Sequence, residues 1–353
     1  MHFNIKKSDF QTTINGKKTD LFFLENKQGM CVAVTNYGGR IAGILVPDKN
    51  GKPTDVVAGF DSIDKFLKST EAFYGALIGR YCNRIAKGKF TLDGKTFSLP
   101  VNNGPNSLHG GTPGFHAVVW DATQIDDTTL ELSYLSPDGE AGYPGNLTVK
   151  ATYTLGENND LKICYEAATD RKTIVNLTNH AFFNLNGEGS GNVLEHLLQI
   201  NADCFTPIDE TSIPTGELRS VKGTAFDFLQ PKTIGKCISN DEEQLKMGNG
   251  YDHNYVLNSK NDGSLFLAGT AVGEKSGIVL EVYTTEPGMQ LYTGNFMSGN
   301  NTFKCGAKDD VRTTFCLETQ HYPDSPNQSG FPSTVLDAGK VFQSCSVYKF
   351  SVK

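Results

Sequence analysis

The sequence predicts an all-β protein, a large antiparallel β-sandwich, and three observations carry that prediction. Short runs rich in β-branched and aromatic residues recur along almost the whole chain. Asp-Gly and Asn-Gly pairs, which favour tight hairpins, punctuate those runs at Asp48-Lys-Asn-Gly, Leu92-Asp-Gly-Lys and Ser136-Pro-Asp-Gly. Apolar periodicity of 3.6 residues is nearly absent, leaving only Ser62–Lys68 and Ser239–Lys246 as short helices.

Taken in order, the predicted strands include Leu21–Leu24, Met30–Asn36, Ile41–Val46, Lys89–Leu92, Thr129–Leu135, Leu147–Leu155 and Leu161–Ala168. Gly277–Thr284, Gln290–Gly294, Thr313–Thr319 and Ser344–Val352 follow. Thr148, Lys150, Thr152 and Thr154 alternate with Val149, Ala151, Tyr153 and Leu155, the pattern of a sheet with one wetter face. No repeat or low-complexity linker divides the chain, so residues 1–353 are read as one domain.

Composition narrows the partners. The formal net charge is −7, and this balance argues against nucleic acid and against an anionic membrane, both of which select basic patches. No apolar run is long enough to span a bilayer, and the stretch Met-His-Phe-Asn-Ile at the start has no apolar signal region. The expectation is a cytoplasmic protein acting on a small molecule, with a monomer preferred over a homodimer. The eight cysteines are scattered without a C-x-x-C pair, so a zinc site is not indicated and each is expected to serve as a small buried residue.

The stretch Ile174–Gly187 holds the most chemistry. Read as a strand, it places Asn176, Thr178, His180, Phe182 and Asn184 on one face, and Val175, Leu177, Asn179, Ala181, Phe183 and Leu185 on the other. The second face is core. The first is a row of hydrogen-bonding groups about a histidine, suited to gripping a polyhydroxylated molecule. Four further residues stand out, each with a bland reading beside the functional one. Arg84 offers a planar fork of donors but could pair with a surface acid. His109 lies between a polar turn and two glycines, where an inconsequential loop histidine is the default. Asp252, just before a strand, has an Asx-turn as its default. Glu318 alternates with Thr314, Cys316 and Gln320 on one face of a strand, where solvent exposure is the ordinary outcome.

Eight segments, in order from about Thr35 to Tyr348, resemble the aldose 1-epimerase (galactose mutarotase) family. Among them are Gly-Arg-Tyr-Cys-Asn-Arg-Ile (79–85), Asn-Ser-Leu-His-Gly-Gly (106–111), Leu-Thr-Asn-His-Ala-Phe-Phe-Asn-Leu (177–185), Tyr-Asp-His-Asn-Tyr-Val-Leu (251–257) and Leu-Glu-Thr-Gln-His-Tyr-Pro-Asp (317–324). Cys82 departs from the alanine usual there. The resemblance implies a mutarotase-like supersandwich with a sugar cleft that interconverts the anomers of hexoses such as galactose and glucose. It implies His180 as general acid, Glu318 as general base and His109 as a second histidine over the ring, with Arg84, Asp252, Asn83 and Gln290 holding hydroxyls.

Such chemistry needs no cofactor and no metal, since only protons move. It needs an acid and a base in opposite states, which suggests an ionised Glu318 and a protonated His180 in the working complex. Phe182 could lie against the sugar, with core packing as the alternative. Three rivals stay open: an epimerase of phosphorylated hexoses, which would want a basic cluster; a sugar-binding protein without catalysis; and a glycoside hydrolase or lyase using two carboxylates, with Asp252 and Glu318 as the pair.

Overall fold

The computed structural model describes residues 3, 5–260 and 262–353, so Met1, His2 and Asn4 of the stretch read for a signal lie outside it. Three antiparallel sheets carry the architecture. The largest has nine strands, in the order 121–126, 129–136, 147–156, 160–169, 341–352, 278–284, 266–272, 197–200 and 232–233. A second has five, ordered 219–220, 204–205, 252–256, 288–292 and 316–320, and a third has four, in sequence order over 21–25, 31–35, 40–47 and 53–55. The β-sandwich expected from the sequence is the fold observed.

The alternation in Leu147–Gly156 shows how the sandwich forms. Leu147, Val149, Ala151, Tyr153 and Leu155 are buried while Thr148 is exposed and Lys150, Thr152 and Thr154 are half-buried. One core cluster joins all three sheets: Val32, Val34 and Ile41 from the four-stranded sheet, Leu132, Val149 and Leu280 from the nine-stranded one, and Tyr255, Met289 and Leu317 from the five-stranded one. The helices are short, as predicted. Ile63–Lys68 starts at Ser62, whose side chain accepts the Lys65 N–H at 3.4 Å, and the second spans only Glu243–Met247.

Two expectations change. Cys164 and Cys345 are not isolated buried residues but a disulfide across the neighbouring strands 160–169 and 341–352, where register sets them opposite each other. A separation of 181 residues conceals that register from the sequence. Of the others, Cys31, Cys82 and Cys316 are buried as expected, Cys204 and Cys237 are half-buried and Cys305 is exposed.

Ile174–Gly187 is extended and keeps its two faces, but it is not one strand. Thr173–Ile174 pairs with Val335–Leu336, and Thr178–Asn179 pairs with Leu77–Ile78. The Phe183 N–H and C=O then bond to Phe315 at 2.7 and 2.9 Å. A buried backbone must find partners for its polar groups, and this segment finds them on several neighbours rather than one. Val175, Leu177, Ala181, Phe183 and Leu185 all join the main core, as the alternation required.

Candidate active site

The five-stranded sheet supplies the floor of the site. Its register sets Gln290 opposite both Glu318 and Asn254, and Tyr292 opposite both Asp252 and Cys316. Paired residues share a face, so Glu318, Gln290, Asp252 and Tyr292 project together. Tyr255, Met289, Leu291 and Leu317 point the other way, into the core. Asp252 therefore begins a strand instead of forming an Asx-turn, and Gln290 donates to its Oδ1 at 2.7 Å.

His180 comes from the extended segment, fixed by its N–H to the Ala76 carbonyl and by its carbonyl to the Gly75 N–H, both at 2.9 Å. Its Nε2 lies 3.5 Å from Glu318 Oε1. The imidazole is flanked by Phe182 at 4.8 Å and Phe73 at 5.9 Å, both nearly parallel to it. His109 meets it edge-on, with ring centroids 5.2 Å apart.

His109 is held by a reciprocal arrangement with Asn83. Both residues have left-handed backbone, and His109 N–H bonds to the Asn83 carbonyl while Asn83 N–H donates to His109 Nδ1, each at 3.1 Å. An Nδ1 that accepts must be unprotonated, so Nε2 carries the hydrogen and is the nitrogen available to donate. Arg84 approaches Asp252 Oδ2 at 3.6 Å through one terminal nitrogen and donates from Nε to Asn103 Oδ1 at 3.0 Å.

These groups line a cavity of about 370 Å³ with Glu71, Phe73, Tyr292, Phe296 and the loop segments 103–105 and 210–212. That is within the range of small-molecule sites. Of the residues expected from the sequence, His180, Glu318, His109, Arg84, Asp252 and Asn83 all reach this one cavity. Gln290 is buried behind Asp252 and is not among the lining residues. Phe182 is fully buried beneath His180, so the aromatic wall comes from Phe73, Tyr292 and Phe296 instead. Sequence reading did not find these three or Glu71, since they stand in no motif and the chain has 22 phenylalanines.

Burial governs the electrostatics. Loss of water pushes His180 down to about 3 and His109 well below the usual histidine range, the latter opposed in its charged form by the neighbouring His180 ring and the Arg84 guanidinium as well. Glu318 is pushed well above the ordinary glutamate range by burial first and then by Asp252. The charged pair expected from the sequence is thus not the favoured resting arrangement. A neutral His180 beside a protonated Glu318 holds the same number of protons as an imidazolium beside a carboxylate; only their location differs. His180, His109 and Glu318 bring possible ligand atoms within 4.8 Å of one another, which invites a metal. The His109 tautomer does not fit one, because the nitrogen it leaves toward the cleft bears a hydrogen instead of a lone pair.

Fold and cleft together define a β-sandwich with a buried histidine–carboxylate pair in a small-molecule-sized pocket lined by hydrogen-bonding and aromatic side chains. Comparison with known proteins gives the family. The family model described as aldose 1-epimerase matches residues 20–349. Galactose mutarotase of Bos taurus is 45% identical, covering 94% of this chain and 94% of that one. Aldose 1-epimerase of Escherichia coli is 37% identical over 95% and 96%. Among solved structures, a GalM/aldose epimerase homologue from C. elegans aligns with a TM-score of 0.87 at 34% identity, covering 95% and 99%. Galactose 1-epimerase from Lactobacillus acidophilus gives 0.83 at 30% identity over 97% of each chain. The chain belongs to the aldose 1-epimerase family, enzymes that interconvert the anomers of aldoses. Among the described residues no helix is long and apolar enough to cross a membrane.

Proposed function

We propose that this protein is a hexose mutarotase in which Glu318 and His180 move the two protons of ring opening, within a single unit spanning residues 1–353. The observation that carries the reading is the 3.5 Å approach of His180 Nε2 to Glu318 Oε1 inside a cavity of sugar size. Glu318 takes the proton of the C1 hydroxyl. The C1–O1 bond becomes a carbonyl, the bond from C1 to the ring oxygen breaks, and His180 protonates that oxygen. The aldehyde turns about C1–C2, and the reverse transfers close the ring on its other face. Electrons and protons balance within the sugar and the pair.

For this sequence the shared proton has to reside on His180 when the sugar is bound. A C1 hydroxyl donating to Glu318 Oε2, which has no partner in the buried site, stabilises the carboxylate and favours that transfer. His109 supplies a neutral Nε2–H for the ring oxygen or a neighbouring hydroxyl. Arg84 and Asp252 offer charge-assisted hydrogen bonds to adjacent hydroxyls, Asn83 sets the His109 loop, and Gln290 orients Asp252.

Polarimetry on freshly dissolved α-D-galactose and α-D-glucose tests this reading. Wild type is expected to hasten the approach to equilibrium rotation, and Glu318→Gln to lower kcat by about 10²–10⁴-fold, the ordinary contribution of a positioned base. Full activity in that variant would place the base elsewhere, and no response to either sugar would remove the hexose assignment.

A further inference from the structure

The cleft lining carries four carboxylates, Glu71, Glu210, Asp252 and Glu318, against one guanidinium, that of Arg84, and no lysine. Three of the five have duties: Glu318 pairs with His180, and Asp252 with Arg84. Glu210 is exposed at the mouth. Glu71 is half-buried in the wall and has no part in the proton transfers.

Glu71 is held in place. Its N–H donates to Ser69 Oγ at 3.2 Å, and that hydroxyl returns a bond to the Glu71 carbonyl at 2.7 Å. Its Oε1 accepts the Phe73 N–H at 3.0 Å, which fixes the carboxylate next to the ring that flanks His180. No described residue donates to Oε2. Burial, against the opposing pull of the Phe73 N–H and of Arg40, raises Glu71 to about 7, so a cation placed beside it is what favours its ionised form. The ordinary explanation would be neutralisation of Arg40, but that guanidinium is bound by the carbonyls of Tyr74, Ala72 and His116 at 3.0, 2.9 and 2.7 Å and makes no ion pair with Glu71. A fixed carboxylate oxygen with no protein partner is therefore present in a sugar site whose net lining charge is negative.

We propose that Glu71 is a specificity-determining residue, giving cationic amino sugars such as 2-amino-2-deoxyhexoses an advantage in this cleft, while sugars bearing phosphate or carboxylate are rejected. This rests on the mutarotase reading of the site. The reaction at C1 is unchanged by an ammonium group elsewhere on the ring; what changes is a charge-assisted hydrogen bond to Glu71 in place of an ordinary one. A phosphorylated sugar meets Glu71, Glu210 and Asp252 against the single guanidinium of Arg84, the like-charge arrangement by which sites exclude wrong partners.

The test compares mutarotation of galactosamine hydrochloride, galactose and galactose 6-phosphate by polarimetry near pH 7.5 at fixed ionic strength, where Glu71 is mostly ionised. The quantity read is the ratio of kcat/KM for galactosamine to that for galactose within each enzyme, which cancels any general loss of activity. In Glu71→Gln that ratio is expected to fall about fivefold or more, the scale of one partly screened charge contact. In Glu210→Gln it should fall less, and galactose 6-phosphate should be at least about 100-fold poorer than galactose in wild type. An unchanged ratio in Glu71→Gln, an equal fall in Glu210→Gln, or efficient turnover of the phosphate overturns the proposal. Wild type offers a second measurement that needs no variant: raising salt should lower kcat/KM for galactosamine more than for galactose, and equal responses count against Glu71. Inactivity of wild type toward galactose itself would instead defeat the mutarotase reading, so the two failures are told apart.

Discussion

In the proposed mechanism, His180 and Glu318 start with their protons arranged by burial. Desolvation lowers the histidine to about 3 and raises the glutamate well above its usual range, so the pair carries its one exchangeable proton over a wide pH interval. The sign follows. Activity is lost on the acid side only when a second proton is forced onto the pair, and on the alkaline side when the shared proton leaves. A pH profile of kcat/KM on galactose, taken well below the melting temperature, should show its acid limb clearly under 6.5, the ordinary histidine value. A limb at or above 6.5 would mean that a water-exposed histidine controls the rate. His109 gives a direct check at the same scale. Long-range ¹H–¹⁵N NMR at pH 7 should find it neutral with the hydrogen on Nε2, because Nδ1 accepts the Asn83 N–H. A charged ring, or the opposite tautomer, would contradict the donor role.

Two elements position these residues, and they differ in how they do it. The strands 252–256, 288–292 and 316–320 use the strict two-residue alternation of a sheet, so one register places Asp252, Gln290 and Glu318 on a common face. The His109 loop relies on glycine. Gly110 has φ +86°, and a Cβ there would lie 1.9 Å from the Gly79 carbonyl oxygen, whereas Gly94, in the turn 92–95, has φ +77° with nothing within 4 Å. Gly94→Ala should cost about 1–2 kcal/mol, the left-handed penalty alone. Gly110→Ala adds a main-chain clash to that penalty, and should both lower Tm further and reduce kcat by displacing His109. Thermal melts beside galactose kinetics decide it; equal losses in the two variants would show that the loop simply yields. The alternation of the sheet face was legible in the sequence around Glu318. The loop's dependence on Gly79 was not, since the two glycines are far apart along the chain.

Over the whole molecule, the same burial that tunes the site leaves histidines of opposite sign elsewhere. His253 is fully buried against Phe205 and Phe226, and desolvation takes it down to about 3. Its folded value lies below the unfolded one of about 6.5, so its contribution to stability is present above 6.5 and lost as pH falls toward the folded value. His321 is the reverse. Glu286, 2.6 Å away, outweighs the effect of burial and raises it, so its contribution is present below 6.5 and lost as pH rises through the folded value. Chemical denaturation of His253→Gln and His321→Gln across pH 5–8 should therefore give destabilisations that grow with pH for the first and shrink for the second. Parallel trends would refute the assignment. The core sets the larger scale: Phe183 bonds to Phe315 and packs on Tyr348 of the nine-stranded sheet, so Phe183→Ala should cost about 3–5 kcal/mol by denaturation.

The sequence by itself determined the β-sandwich, because β-branched runs and Asp-Gly turns are local signals, and it marked His180, Glu318, His109, Arg84, Asp252 and Asn83, because motifs surround them. It also determined the two faces of Ile174–Gly187, although not that the segment's hydrogen bonds are shared among several neighbours. Only the tertiary structure decided that Cys164 faces Cys345, that Gln290 stands behind Asp252, and that Phe73, Tyr292, Phe296 and Glu71 wall the cleft. It also decided that burial lowers His180 and raises Glu318. These depend on register and burial, which arise when distant segments meet; the order of residues along one segment does not contain them.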